Sequence, residues 1–295
     1  MSNLTHCINR FTFILRVLAG YMHVAKAVYN AHLFFAWDVN VECPGHFLQI
    51  FQPLDGVTFI ANSSRVHLEN TAKKVFPNVA HRFELIMDES EVPRRNRNWA
   101  RSERACYDKF LPLKEIQDKV DDYVTKNNIE NCSAMHLRQT DMNLALKPRQ
   151  RPSLESYDKF LNTRPDEEKV FLMTDNPVGQ KHHIDKYGNR ILVYSKIIDP
   201  NANLIAISSA NNTKNENIKR ELNIQNTLNA QNTNTTLPSS HRFTSLEHTL
   251  IDILISANAL VFKGSPYSSL SDLVVMYRNI VRDKKRNKFN ALTTQ

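Results

Sequence analysis

Three apolar runs in this sequence end in polar clusters whose residue types hold phosphate and charge. "CSAMHLRQTDM" (132–142) delivers His136, Arg138, Thr140 and Asp141. "FLMTDNP" delivers Thr174 and Asp175, and "KGSPYSS" (263–269) delivers Ser265, Ser268 and Ser269. An arginine guanidinium is planar, permanently charged and carries paired donors, which suits a diphosphate. His136 and Arg138 are two residues apart, so a strand points both to one face. Ser269 followed by Asp272 resembles a capping box with Asp in place of Glu. Such a helix start offers free N–H groups and the positive end of a dipole to an anion. Asp252 is a different signal: Ile251, Ile253, Leu254 and Ile255 surround it. A carboxylate in apolar company needs a partner, and the N1–H and 2-amino group of a guanine match its two oxygens.

Taken singly, each cluster has an ordinary structural explanation. Arg138 would cap its strand in a salt bridge with Asp141, His136 would be a hydrogen-bonded core residue, and the serines would cap a helix. Their convergence carries more than any one of them, because ligands of open α/β sheets bind at the carboxyl ends of strands.

The elements that must position these residues follow from hydrophobic periodicity. Phe11, Ile14, Leu15, Leu18, Met22 and Ala25 have helical spacing over 11–31. "AHLFFAW" (31–37) reads as a strand. Ile116, Val120, Tyr123 and Val124 share one face of a helix over 111–127. The runs "CSAMHL" (132–137), "KVFLM" (169–173), "RILVY" (190–194) and "NALVF" (258–262) lack strict polar alternation, as parallel strands covered on both faces do. Helical patterns lie among them at 153–163, 244–257 and 268–285, with "TSLE" (244–247) as a structural cap. The alternation predicts an α/β fold with a largely parallel sheet.

Composition sets the outer limits. The 295 residues suffice for one large domain or two modest ones. A net charge of +8 favours an anionic partner without choosing it. The six glycines are too dispersed for a dinucleotide fingerprint or a P-loop. The four cysteines show neither a disulfide framework nor metal spacing, which favours a reducing compartment. Arg16, His23, Lys26 and His32 interrupt the apolar stretch 11–37, where a spanning helix needs about 20 predominantly apolar residues. A soluble, cytoplasmic protein without signal peptide or anchor is expected, with the secretory lumen as the alternative. The formal sequon Asn131-Cys132-Ser133, at the start of an expected buried strand, also favours the cytoplasm. Residues 200–240 are rich in Asn and Thr and read as a disordered insertion. "DKKRNK" (283–288) reads as a solvated basic tail, and "RRNRNWARSER" (94–104) as a solvated loop, so no nucleic-acid partner is expected.

The ordered set of motifs resembles the superfamily of α1,6-fucosyltransferases, nodulation fucosyltransferases and protein O-fucosyltransferases. "MHLRQTD" looks like its H-x-R-R-T-D motif, and "VFLMTDNP" like its "FLATDDP" strand. "TLIDILISANALVFKGSPYSSLS" is similar to its last motif, and "INRFTFILRVLAGYMHVAKAV" to its first helix. The resemblance implies a GT-B-like fold of two Rossmann-like domains: 1–128 on the acceptor side, and 129–295 binding a nucleotide sugar. It implies GDP-fucose as donor and an inverting transfer to a hydroxyl of a glycan or protein, without a metal or other cofactor. Carried over by position, His136 and Asp252 would read the guanine. Arg138 would bind the β-phosphate and stabilise the leaving GDP. Ser265, Ser268 or Ser269 would line the phosphate site, and Asp141 and Asp175 would support it. Asn9 and Arg10 would belong to a first-domain loop. The chain departs from the pattern at Gln139, at Asn176 and in the glycines missing before Asn9. Another GDP-sugar transferase, a sulfotransferase-like enzyme and a catalytically silent nucleotide-sugar fold are the alternatives.

Overall fold

A computed structural model describes residues 10–27, 30–37, 45–60, 106–138, 153–194, 245–266 and 268–293. Asn9, Gln139, Asp141 and the stretches 94–104 and 200–240 lie outside the described residues. The order is α1 (Arg10–Ala27), β1 (Leu33–Ala36), β2 (Val57–Ile60), α2 (Lys114–Lys126), β3 (Ser133–Leu137), α3 (Leu154–Asn162) and β4 (Val170–Thr174). There follow α4 (Pro177–Tyr187), β5 (Ile191–Leu192), α5 (Leu246–Asn258), β6 (Val261–Lys263) and α6 (Ser269–Thr293).

All described strand pairs of both sheets are parallel. β1 pairs β2, and the larger sheet runs β5–β4–β3–β6. Ala134 faces Phe171 on one side and Phe262 on the other, so β3 is the central strand. The sheet therefore grows from β3 in one direction through β4 to β5, then returns to add β6 on the other side. The expected α/β class with a parallel sheet is what the chain adopts.

Alternation along the central strands sorts two cores. Met135, Leu137, Val170, Leu172 and Ile191 pack with Tyr157 and Leu161 of α3 and with Ile184 and Tyr187 of α4. Ala134, Phe171 and Met173 join the larger core built on α1, α2, α5 and α6. The apolar positions anticipated for α1 are in this core, with Ile14 partly buried at its margin. Ile116 and Val120 of α2 are enclosed as its helical face requires.

Several boundaries differ from expectation. Only Ile191–Leu192 of "RILVY" is strand, and Asn258 closes α5, so β6 starts at Val261. Ser245, rather than Thr244, caps α5: its Oγ accepts the His248 amide at 3.1 Å, while Glu247 pairs with Lys119. The basic stretch 283–288 is not a tail. It continues α6, and Lys285 reaches Glu130 at 2.7 Å. Asn131 lies exposed in a 3-10 turn before β3, while Ser133 is buried and bonds Glu168.

Helix α4 and strand β2 are absent from the sequence expectations. Proline at the first helical position and Asn176 as N-cap explain α4, since the Asn176 Oδ1 accepts the amides of Val178 and Gly179. Its buried residues are Gly179, Gln180 and His183. With so little aliphatic surface, no hydrophobic stripe announced it. Arg278 of α6 secures the far end of α5: its guanidinium donates to Ala259 O at 2.5 Å, Leu260 O at 3.0 Å and Ser256 O at 3.4 Å.

Candidate functional site

In a parallel sheet ordered β5–β4–β3–β6, the chain leaves β3 for one side and reaches β6 on the other. The crevice beyond the carboxyl ends of β3 and β6 is thus the topological switch point, where such sheets accept ligands. Both strands end there in the side chains singled out above.

Arg138 is the residue after β3 and is only 2% exposed. Its Nη1 stands 3.5 Å from Ser268 Oγ, the outer limit of a hydrogen bond. Ser268 is the residue before α6, and its carbonyl accepts the Asp272 amide at 3.1 Å. A permanent positive charge is therefore enclosed beside the opening turn of a long helix.

His136, one step back along the same face of β3, reaches the same turn. Its Nδ1 lies 2.8 Å from Ser271 Oγ. Ser271 Oγ also accepts the Ser265 amide at 2.9 Å, which ties the histidine to the turn between β6 and α6. The Ser265 hydroxyl is buried beside the Tyr157 phenol but without hydrogen-bond geometry to any described residue. Tyr157 donates instead to the His136 carbonyl at 2.9 Å. Burial pushes the Tyr157 phenol up to about 12, reinforced by the nearby Asp175 charge, so it remains a donor at neutral pH.

Asp175 follows β4 and is half-buried; the neighbouring Asn176 amide donates to Thr174 Oγ1. Ser269 is the first residue of α6 rather than its cap, which corrects the Ser269–Asp272 capping box. Its Oγ is 2.7 Å from Thr12 Oγ1, and Asp272 lies 3.9 Å from Arg16. Thr12 belongs to the first turn of α1, so the amino ends of α1 and α6 meet here. Both dipoles offer positive ends to one place. Arg10 opens α1, and its side chain lies outside the described residues.

Asp252 stands on the same side of the sheet, in α5, and is 7% exposed. It makes no hydrogen bond or ion pair among the described residues. Burial pushes its carboxyl well above the usual carboxylate range. It lies near Tyr123, whose phenol is pushed up by burial first and by Asp252 second, donates to Val193 O at 2.9 Å, and belongs to a ring that meets Phe171 and Tyr194 edge-on.

The structure thus gathers His136, Arg138, Ser265 and Ser268 at the ends of β3 and β6, with Ser269 at the adjoining α1 contact. Sequence reasoning missed Ser271, Tyr157 and Thr12. Ser271 had a signal, since it lies three residues after Ser268 and returns to the same helical face. Tyr157 and Thr12 had none, because their partners lie far away in the chain.

No helix among the described residues is long and apolar enough to cross a membrane. Cys106 and Cys132 are buried free thiols, and Cys7 and Cys43 lie outside the described residues. No family model matches the chain, and no curated protein matches it. Among solved structures it is similar to NodZ α-1,6-fucosyltransferase co-crystallised with GDP, at 14% identity and a TM-score of 0.48, over 90% of this chain and 88% of that one. The same enzyme soaked with GDP-fucose matches at 15% identity and 0.48, over 90% and 89%. Fucosyltransferase NodZ from Bradyrhizobium matches at 14% identity and 0.47, over 90% and 88%.

Proposed function

We propose that the crevice at the ends of β3 and β6 holds the diphosphate of a GDP-sugar, and that the protein is a glycosyltransferase of the fucosyltransferase type. The observation that carries this reading is the enclosure of Arg138 beside Ser268 at the opening of α6. Departure of a nucleoside diphosphate develops negative charge on the β-phosphate. A fixed guanidinium and helix amides aimed at that charge stabilise it without reorganising. In this reading Arg138 neutralises the leaving GDP, and the Ser268 and Ser269 region supplies hydroxyl and amide donors. His136 and Asp252 read the guanine edge, where the N1–H and 2-amino donors would hold the buried Asp252 carboxyl in its ionised form against the desolvation that otherwise raises its pKa. Asp141 and Asp175 support the site. The transfer is an inverting one from GDP-fucose to a hydroxyl of a glycan or protein, with the charge supplied by the chain rather than by a metal.

Thermal stabilisation by ligand tests the assignment, because anything that binds only the native state raises its melting temperature. GDP and GDP-fucose should stabilise strongly and GMP less, since GMP lacks the β-phosphate. Arg138→Lys keeps a charge but not the planar fork, and should weaken GDP binding at least about tenfold, the loss of one charge-assisted bond. Normal GDP binding by Arg138→Lys and by Arg138→Ala would remove the role given to Arg138. Stabilisation by adenosine 3′,5′-bisphosphate but not by GDP would favour a sulfotransferase-like enzyme. GDP binding without donor hydrolysis or transfer would favour a silent fold.

A further inference from the structure

We propose that Asp158, His182 and His183 form a binding site for a borderline divalent metal ion, Zn2+ foremost, that clamps α3 to α4. One candidate ligand atom from each of the three lies within 4.8 Å of the others. The cluster belongs to the helix layer on Met135, Leu137 and Leu172, the opposite side of the sheet from α5 and α6. It therefore takes no part in the crevice chemistry.

The hydrogen-bond geometry of His183 points to a cation. The residue is fully enclosed, and its Nδ1 lies 2.8 Å from the Gly179 carbonyl. A carbonyl only accepts, so Nδ1 carries the proton. Nε2 then presents a lone pair. That atom is buried, makes no hydrogen bond among the described residues, and stands 3.9 Å from Asp158 Oδ1. Two acceptors facing each other across that gap repel unless positive charge lies between them. His182 Nε2 is likewise buried, without a hydrogen bond among the described residues, 3.6 Å from Asp158 Oδ2.

The surroundings resemble an outer shell of ligand-orienting bonds. Metal-bound histidines usually donate their second ring N–H to a backbone carbonyl or carboxylate, as His183 does to Gly179. Asp158 is oriented by the Tyr187 hydroxyl, which donates to Oδ1 at 2.9 Å. Two imidazoles and a carboxylate are a donor set for Zn2+ and its neighbours, and three protein ligands leave one position for water. One group competes: Lys186 Nζ sits 2.6 Å from Asp158 Oδ2. Its side chain is 47% exposed, so the ammonium can swing into solvent on its flexible stem when a dication arrives.

The full chain, stripped with chelator and titrated with Zn2+ in a calorimeter, should bind one equivalent and melt at a higher temperature. Co2+ should give visible bands with the intensity of a four-coordinate site. His182→Ala and Asp158→Asn should each weaken binding at least about tenfold, the size of effect that even outer-shell changes produce. Lys186→Met should tighten binding several-fold, because the competing cation is gone. Circular dichroism checks that each variant is folded, and His182 and Lys186 are exposed enough to replace without a cavity. Absence of binding at equimolar protein and Zn2+ overturns the site. So does unchanged affinity in His182→Ala, or a Lys186→Met variant that only melts earlier, which would leave a plain ion-pair clamp.

Discussion

His136 and Ser271 are joined across the crevice, with imidazole Nδ1 and hydroxyl Oγ 2.8 Å apart, and the same hydroxyl receives the Ser265 amide. One serine thus sets both the ring on the central strand and the turn that leads into α6. Gly264 makes the close approach feasible: a Cβ there would lie 3.0 Å from the Ser271 Cβ and 3.1 Å from its Oγ.

Ser271→Ala should therefore lower GDP affinity about three- to tenfold, corresponding to one hydrogen bond of about 1 kcal/mol. Gly264→Ala should produce a loss of similar direction by pushing Ser271 away. Isothermal titration with GDP measures both. If Ser271→Ala leaves GDP affinity intact while the melting temperature falls, the bond serves the fold alone.

Asp252 makes stability depend on pH in a fixed direction. Its folded pKa lies above its unfolded one, so between the two values the native state holds a proton that the unfolded chain has released. The contribution is complete below the unfolded value and is lost as pH rises through the folded one. Asp252→Asn carries no such penalty. The melting temperature of the variant minus that of the unliganded wild type should grow as pH rises above the ordinary carboxyl value of about 4. Parallel melting curves across that range would mean that Asp252 ionises as freely folded as unfolded.

Arg278 should matter to stability more than any exposed arginine of α6. It serves three carbonyls at the end of α5 from a nearly enclosed position. Arg278→Met keeps much of the volume and leaves those acceptors without their donor, at about 2–3 kcal/mol. Urea unfolding should report the loss, whereas Arg286→Met, at an exposed position, should stay within about 0.5 kcal/mol.

Thr12→Val tests the junction of α1 with α6. The substitution removes one hydroxyl from the pair with Ser269 and keeps the shape. A cost of about 0.5–1.5 kcal/mol is expected in chemical unfolding. Donor affinity should fall as well if the two helix starts share one anion. Unchanged GDP affinity would limit the pair to holding the helices together.

Much of this was legible in the chain. The apolar runs ending at Leu137, Met173 and Phe262 announced parallel strands, because strands buried on both faces need no alternation. The two-residue spacing of His136 and Arg138 fixed their common face before any contact was known. Helix α4 was not legible, since capping by Asn176 and Pro177 supports it more than a hydrophobic stripe does. The bounds of β5 and β6 were misplaced because a strand ends where its neighbour stops pairing, and the neighbour is distant in sequence.

The sequence by itself determined which side chains wait at the strand ends and which chemical groups they bring: an imidazole, a guanidinium, carboxylates and hydroxyls. It could not determine that β6 lies against β3 rather than beside β5, because that order is set by long-range pairing and by packing against α5 and α6. Only the tertiary structure made the ends of β3 and β6 the switch point, enclosed Arg138 beside Ser268 and brought Thr12 to Ser269. It likewise set Asp158 against His182 and His183, whose meeting depends on how α3 and α4 share one face of the sheet.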